Sequence, residues 1–180
     1  MTVNFVPSNV CQSYEKISEW FDLHRDRSLM EQKYLELIIK NIPKGGGVLD
    51  LGCGMGQPIA QFFIERGYDL TGVDGSTKMI ELCQSRFLQA HWIVGDMRHI
   101  PLQKMFDLIL AWHSLFHLSQ QDQRMMFPKF AAHLNPGGLL AFTSGTEHGE
   151  IWSDNGGEQL YHASLSGLGL KIVWRSVLHV

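Results

Sequence analysis

Short apolar runs alternate with amphipathic stretches along this chain, and the alternation predicts strand and helix in turn. Val48, Leu49 and Leu51 crowd around Asp50 in a run too short and too continuous for an exposed helix, which predicts a buried strand over 47–51. Leu70–Asp74, His91–Met97, Phe106–Trp112, Leu139–Thr143 and Leu170–Leu178 read as further strands. Between them lie helical patterns: 58–66, a segment from Ser76-Thr77 through Met79, Ile80, Leu82 and Cys83, and a segment carrying Met125, Met126, Phe127, Phe130 and Leu134. Ser119 with Asp122 three residues on resembles a cap for the last of these, and Pro128 predicts a kink or a late start. Residues 10–41 give two amphipathic helical segments, one with Tyr14, Ile17, Trp20, Phe21 and Leu23, the other with Leu29, Met30, Tyr34, Leu35, Leu37, Ile38 and Ile39. Asn41–Gly46 and Asn135–Gly138 are turns, 146–157 reads as a polar loop, and Leu160–Ser164 as extended chain. Strands alternating with helices predict an α/β fold: a three-layer sandwich with a mostly parallel sheet, right-handed crossovers and helices on both faces.

Composition narrows the function classes. The 180 residues, 44% of them hydrophobic, suit a single domain over 1–180 with a real core. A net charge of −3 with no basic cluster disfavours a nucleic-acid partner. Cys11, Cys53 and Cys83 show neither pairing nor metal spacing, and an odd count suits a reducing compartment. The N-terminus has no signal-peptide pattern, and no apolar run reaches the roughly 20 residues of a membrane span. The expectation is a soluble cytoplasmic protein with no membrane partner and no metal site.

The chemistry concentrates where the first strand ends. Gly52, Gly54 and Gly56 alternate immediately after it, which predicts a tight turn with backbone N–H groups open to a ligand. Pro58 suits the first turn of the following helix, and Gly67 its end. The spacing fails the dinucleotide fingerprint in both frames, since Gln57 and Ala60 stand where glycines would be needed. No Gly-Lys-Ser/Thr follows, so it is not a P-loop either. Asp50, two residues before the first glycine, would repel a pyrophosphate and suit an ammonium or sulfonium ligand. Val48 to Gly56 resembles, without a mismatch, the first motif of the Rossmann-like S-adenosylmethionine-dependent methyltransferases, Val-Leu-Asp-Leu-Gly-Cys-Gly-x-Gly.

That resemblance implies a strand order 3-2-1-4-5 with the C-terminal strand added beyond the fifth. It also implies S-adenosylmethionine as the cofactor and a small-molecule methyl acceptor as the partner. The implied cofactor-binding set is Asp50, Gly52, Cys53, Gly54, Gly56, Asp74, Gly75, Asp96, Met97 and Ala111. Asp74, 22 residues after Gly52, stands near the offset at which a carboxylate reaches a ribose diol; the plain alternative is an acidic cap for the next helix. Asp96 and Met97 fit the adenine-facing positions, against the alternative of an ordinary loop. Residues 1–44 are then a helical lid, 45–145 the cofactor-binding core, and 146–180 a shortened C-terminal part.

The candidate catalytic residues are His113, His117 and Tyr14. The two histidines lie four apart, on one face if helical, and titrate in a range useful to a general base; packing or capping is the alternative for each. Tyr14 donates to substrate or closes the lid, unless it is a half-buried helix aromatic. The remaining histidines, His162 among them, read as surface or packing residues. Trp20, Trp112, Phe116 and Trp152 are expected to line an apolar acceptor pocket. No Asn-Pro-Pro-Tyr follows the fourth strand, which weakens amino methylation of adenine or glutamine. Two features depart from the family pattern: the helix before the last-but-one strand and the final antiparallel strand are both missing. They motivate an alternative function, a non-catalytic or partner-dependent S-adenosylmethionine-binding protein. They also leave an open strand edge with Ile172, Trp174 and Val177, so a homodimer or domain swap is one expectation and a longer natural chain the other.

Overall fold

The computed structural model describes residues 10–100, 102–145, 147–165 and 170–174. Two helices come first, α1 (Val10–His24) and α2 (Gln32–Ile39). A strand–helix alternation follows: β1 (Gly47–Leu51), α3 (Ile59–Ile64), β2 (Asp69–Asp74), α4 (Thr77–Arg86) and β3 (His91–Val94). Then come β4 (Phe106–Ala111), a 3-10 turn over Leu115–His117, α5 (Gln120–His133), β5 (Leu134–Thr143), β6 (Gly149–Asn155), β7 (Glu158–Ser164) and β8 (Leu170–Trp174). The main sheet has the order β3-β2-β1-β4-β5-β8, parallel except for the last pair, and β6 and β7 form a separate antiparallel hairpin. The order and the layered α/β class are those expected from the sequence.

The pleat explains the two cores. Successive residues of a strand point to opposite faces. Val48, Leu108 and Leu110 therefore pack on one face with Leu35 and Ile38 of α2 and Phe62 and Phe63 of α3. Leu49, Leu51, Ile109 and Ala111 pack on the other with Met126 and Phe130 of α5. Each of these side chains larger than alanine, once fully buried, contributes about 1.5–3 kcal/mol. The ends of the elements follow local rules. Ser76 Oγ accepts from Met79 N (3.2 Å) and Ser119 Oγ from Asp122 N (3.1 Å), the cap expected at the second position. Gly67, at φ +78°, ends the chain segment after α3. Pro128 lies inside a continuous α5.

Four readings need correction. The stretch 146–157 is not simply a loop, because Gly149–Asn155 pairs residue by residue with Glu158–Ser164 across a turn at Gly156 and Gly157, both at positive φ. Asn135–Gly138 is an irregular insertion within the ladder of β5 on β4, where the register shifts between Phe106 and Leu108. On α1 the buried stripe is Val10, Ser13, Ile17 and Ser18, while Trp20 and Leu23 are exposed at 38% and 78%. Finally, an antiparallel last strand is present: β8 pairs antiparallel with β5, Leu140 opposite Val173. The chain leaves β5 at the same edge where the β6–β7 hairpin sits. With no crossover helix among the described residues between β5 and β8, the last strand runs back along β5 and the pairing is antiparallel. Of the residues expected on an open edge, Val177 lies outside the described residues, as do the side chains of Ile172 and Trp174, and no described helix is long and apolar enough to cross a membrane.

Candidate active site

β1, β2 and β4 run parallel and end at one edge of the sheet, so the segments after Leu51, Asp74 and Ala111 converge there. A cavity of about 340 Å³ opens at this edge, within the range of sites for small molecules. Eight of the ten residues expected to bind cofactor line it: Asp50, Gly52, Cys53, Gly54, Asp74, Gly75, Asp96 and Met97. Gly56 and Ala111 do not. Gly56, at φ +80°, closes the turn by donating its N–H to Cys53 O (3.1 Å), and a Cβ there would meet the Phe87 ring at 3.0 Å. Ala111 is fully buried in the core on the α5 side. Tyr14, His113 and His117 all line the cavity, with Trp112 and Phe116, whereas Trp20 and Trp152 are elsewhere.

The glycine turn is held by Asp74. Gly54 N donates to one carboxylate oxygen (2.9 Å) and Ser76 N to the other (2.9 Å). The carboxylate thus fastens the turn, precedes the α4 cap and lines the cavity. Burial raises its pKa against these two N–H donors. Asp50 is 3% exposed and has no hydrogen-bond donor among the described residues. Burial first, and then the neighbouring Asp74, push its pKa up to about 7. A buried, unpaired carboxylate on a cavity wall is a place for positive charge. Gly54, at φ +54°, has open space where a Cβ would stand. A bare glycine turn, two carboxylates and a partly apolar wall fit the nucleoside and sulfonium parts of S-adenosylmethionine.

Asp96 is gripped by its own neighbour. Arg98 Nη2 and Nε reach its carboxylate at 2.5 and 2.9 Å, and Arg98 Nη1 reaches Asp122 on α5 at 2.9 Å. Burial opposes ionisation of Asp96, but these charged hydrogen bonds outweigh it and its pKa falls. The sequence marks neither Arg98 nor Asp122 as part of the site.

Aromatic side chains also line the cavity. His117 Nδ1 lies 2.7 Å from Tyr161 O, so it carries the hydrogen and donates; Nε2 then accepts from the Tyr14 hydroxyl at 3.2 Å. Burial lowers the His117 pKa to about 4, and burial, then Asp74, raises that of Tyr14 to about 12. Both groups are neutral around pH 7. His162, read from sequence as surface or packing, stacks on Phe116 (5.1 Å, 18°) and lines the cavity. His113 has a backbone φ of 53°, an uncommon conformation for a non-glycine residue, and its N–H donates to Thr143 Oγ1 at 2.7 Å. It precedes the 3-10 turn, so the two histidines share the cavity without sharing a helix face.

α1 forms the wall beside the glycine turn and is tied down at both ends. Glu15 accepts from Ser76 Oγ (2.5 Å) and Lys78 N (3.1 Å), and Asp22 pairs with Arg86 (2.6 and 2.8 Å). Lys16 reaches Glu158 of the hairpin at 3.0 Å. No group of three or more metal-ligating side chains occurs among the described residues.

Comparison with known proteins agrees with this geometry. The family described as methyltransferase domain matches residues 48–138. The malonyl-[acyl-carrier protein] O-methyltransferase of Salmonella typhimurium is 34% identical over 98 residues, 54% of this chain and 38% of that protein. Methyltransferase GfsG of Streptomyces halstedii is 32% identical over 120 residues, 63% of this chain and 41% of that protein. The chain thus spans about two fifths of the length of these curated relatives. The solved DhpI–SAH complex superposes with a TM-score of 0.72 at 18% identity, covering 92% of this chain and 83% of that one, a likeness of fold. The chain belongs to the methyltransferase domain family, in the Rossmann-like class that uses S-adenosylmethionine.

Proposed function

We propose that this protein transfers a methyl group from S-adenosylmethionine to a small molecule in the cytoplasm. The observation that carries the reading is the shared cavity. The glycine turn, Asp50, Asp74 and Asp96 form one wall, and Tyr14, His113, Phe116, His117 and His162 form the other. In this reading Asp74 takes the ribose hydroxyls, Asp96 and Met97 flank the adenine, and the turn from Gly52 to Gly54 leaves room for the methionine part. Asp50 answers the positive charge. The bound cofactor supplies an electrophilic methyl group on a sulfonium; the protein's part is to align the acceptor, exclude water and hold the acceptor's proton. Residues 10–30 act as the lid, since α1 covers the wall by which a cofactor would enter. The malonyl-carrier relative methylates oxygen by its name, and the aromatic lining of the cavity here favours an apolar or aromatic small molecule.

The test has two stages. Calorimetry should show S-adenosylmethionine binding, weakened by about 1.5–3 kcal/mol in Asp74→Ala, the scale of hydrogen bonds to a charged group. Incubation with a metabolite library should then release S-adenosylhomocysteine. Absence of binding refutes the reading; binding with no product from any acceptor supports a non-catalytic binding protein instead.

A further inference from the structure

Glu31 is a buried carboxylate that the motifs leave without a task. It stands at the N-cap of α2, where a side-chain oxygen ordinarily accepts from the first helical N–H groups, yet its side chain makes no such bond. It is 7% exposed. Its Oε1 lies instead 3.5 Å from His113 Nε2, with Arg25 Nη2 at 3.8 Å on the same oxygen. A buried carboxylate costs folding energy unless it is paired, so packing alone does not account for it. The partner, His113, is half-exposed to the cavity, and its backbone is held in the left-handed region with the N–H tied to Thr143. Ring and backbone are therefore both fixed.

We propose that Glu31 is a positioning residue: it holds His113 with Nε2–H directed at its carboxylate, leaving Nδ1 as the open acceptor for the proton of a hydroxyl-bearing substrate. This rests on the methyl-transfer reading and narrows it to acceptors that must lose a proton, as a carboxylate does not. In the step assigned to the protein, the acceptor O–H bond breaks, its electron pair stays on oxygen, and the proton is taken by Nδ1. The resulting imidazolium is stabilised by the Glu31 carboxylate. His117 is less suited, because its two nitrogens are occupied by Tyr161 O and the Tyr14 hydroxyl.

The groups facing His113 are Glu31 before α2, Arg25 after α1, and His117 on the 3-10 turn, with the Trp112 and Phe116 rings beside it. Burial and then Arg25 lower its pKa, and Glu31 opposes them. Removing the Glu31 charge should therefore lower it further.

Nitrogen NMR of histidine-labelled protein, with His113→Gln to assign the signal, reads this without an acceptor. The expected result is the Nε2–H tautomer for His113 and, in Glu31→Gln, a titration midpoint moved to lower pH. An Nδ1–H tautomer in the unmodified protein, or an unmoved midpoint in a folded Glu31→Gln, overturns the proposal. The tautomer arm needs no Glu31 variant, so a Glu31→Gln protein that fails to fold does not remove the test. Turnover on paired alcohol or phenol and carboxylic acid acceptors adds a second readout. Glu31→Gln should slow hydroxyl methylation about 10-fold, part of the roughly 10²–10⁴ a general base contributes. Methylation confined to carboxylic acids at an unchanged rate in the variant overturns the proposal. If no acceptor yields S-adenosylhomocysteine, methyl transfer fails while the NMR result still decides the placement of His113.

Discussion

Gly52→Ala should unfold the protein at a clearly lower temperature, for reasons that can be added from the structure. The residue has φ +75°, where an L side chain costs about 1–2 kcal/mol. An alanine Cβ would also stand 2.3 Å from Ser114 Cβ and 2.9 Å from Ser114 Oγ. Ser114 cannot yield freely, because its hydroxyl donates to Leu51 O at 2.5 Å and the side chain is buried. Moving it forfeits a buried hydrogen bond, at about 1–2 kcal/mol. The total is about 3 kcal/mol, which lowers Tm by about 6–12 °C in a chain of this length. Ser114→Gly removes the obstructing Cβ along with the hydroxyl. The double variant keeps the backbone strain and the lost hydrogen bond but not the overlap. It should therefore be less destabilised than the sum of the single variants by about 1 kcal/mol or more. Urea denaturation of the four proteins supplies the cycle. A Gly52→Ala protein melting within 2 °C of the parent, by roughly the same scale, or strictly additive variants, would show that the close approach of the two loops is not what the glycine serves.

Two further predictions concern pH. Asp50 ionises only near pH 7, because burial and Asp74 raise it from 3.8, so its cost to folding appears as pH rises from about 4 through 7. A cationic ligand favours the ionised form, and S-adenosylmethionine affinity should rise about tenfold from pH 6 to pH 8; calorimetry giving the same slope in Asp50→Asn would refute the assignment. His117 behaves in the opposite sense: its pKa is depressed by burial from 6.5 to about 4, so its stabilising effect is present above 6.5 and is lost as pH falls toward 4. His117→Gln, whose amide can still donate to Tyr161 O and accept from Tyr14, should remove that loss; a stability gap between the two proteins that stays constant from pH 7 to pH 4.5 would count against it.

The sheet was legible because its signals are local. Val48-Leu49 with Leu51, the glycines after them, and the caps at Ser76 and Ser119 each act within a few residues. The β6 strand was not legible, for a physical reason. Its burial is poor, with Glu150, Ile151 and Trp152 all exposed, so no period-two pattern marks it. What holds the hairpin in place is distant in sequence: Tyr161 O on His117, Ala163 O on Gln123, and Glu158 on Ser13 and Lys16. The orientation of the last strand follows from the hairpin, and so was hidden with it.

The same distinction divides the site. The carboxylates and glycines that line the cavity from the sheet side lie at strand ends, where topology alone delivers them to one edge. The groups opposite them are placed by contacts 40 to 145 residues apart in the chain, such as Tyr14 to His117 and Ser13 to Glu158. His162 illustrates the consequence. Nothing beside it in the sequence distinguishes it from His148 or His179, and its place on the wall is set by contacts with Phe116, His117 and Ser153. Glu31 is a sharper case, since its position before α2 resembles an ordinary helix start. Its distance from His113, 82 positions later, could not be read from either segment alone. The strand order therefore brings the proposed cofactor-binding residues to one edge, whereas the proposed acceptor wall depends on how α1, the 3-10 turn and the hairpin pack together. Substitutions that loosen this packing without touching the sheet, such as Tyr14→Phe, should separate the two, leaving cofactor affinity intact while changing acceptor turnover.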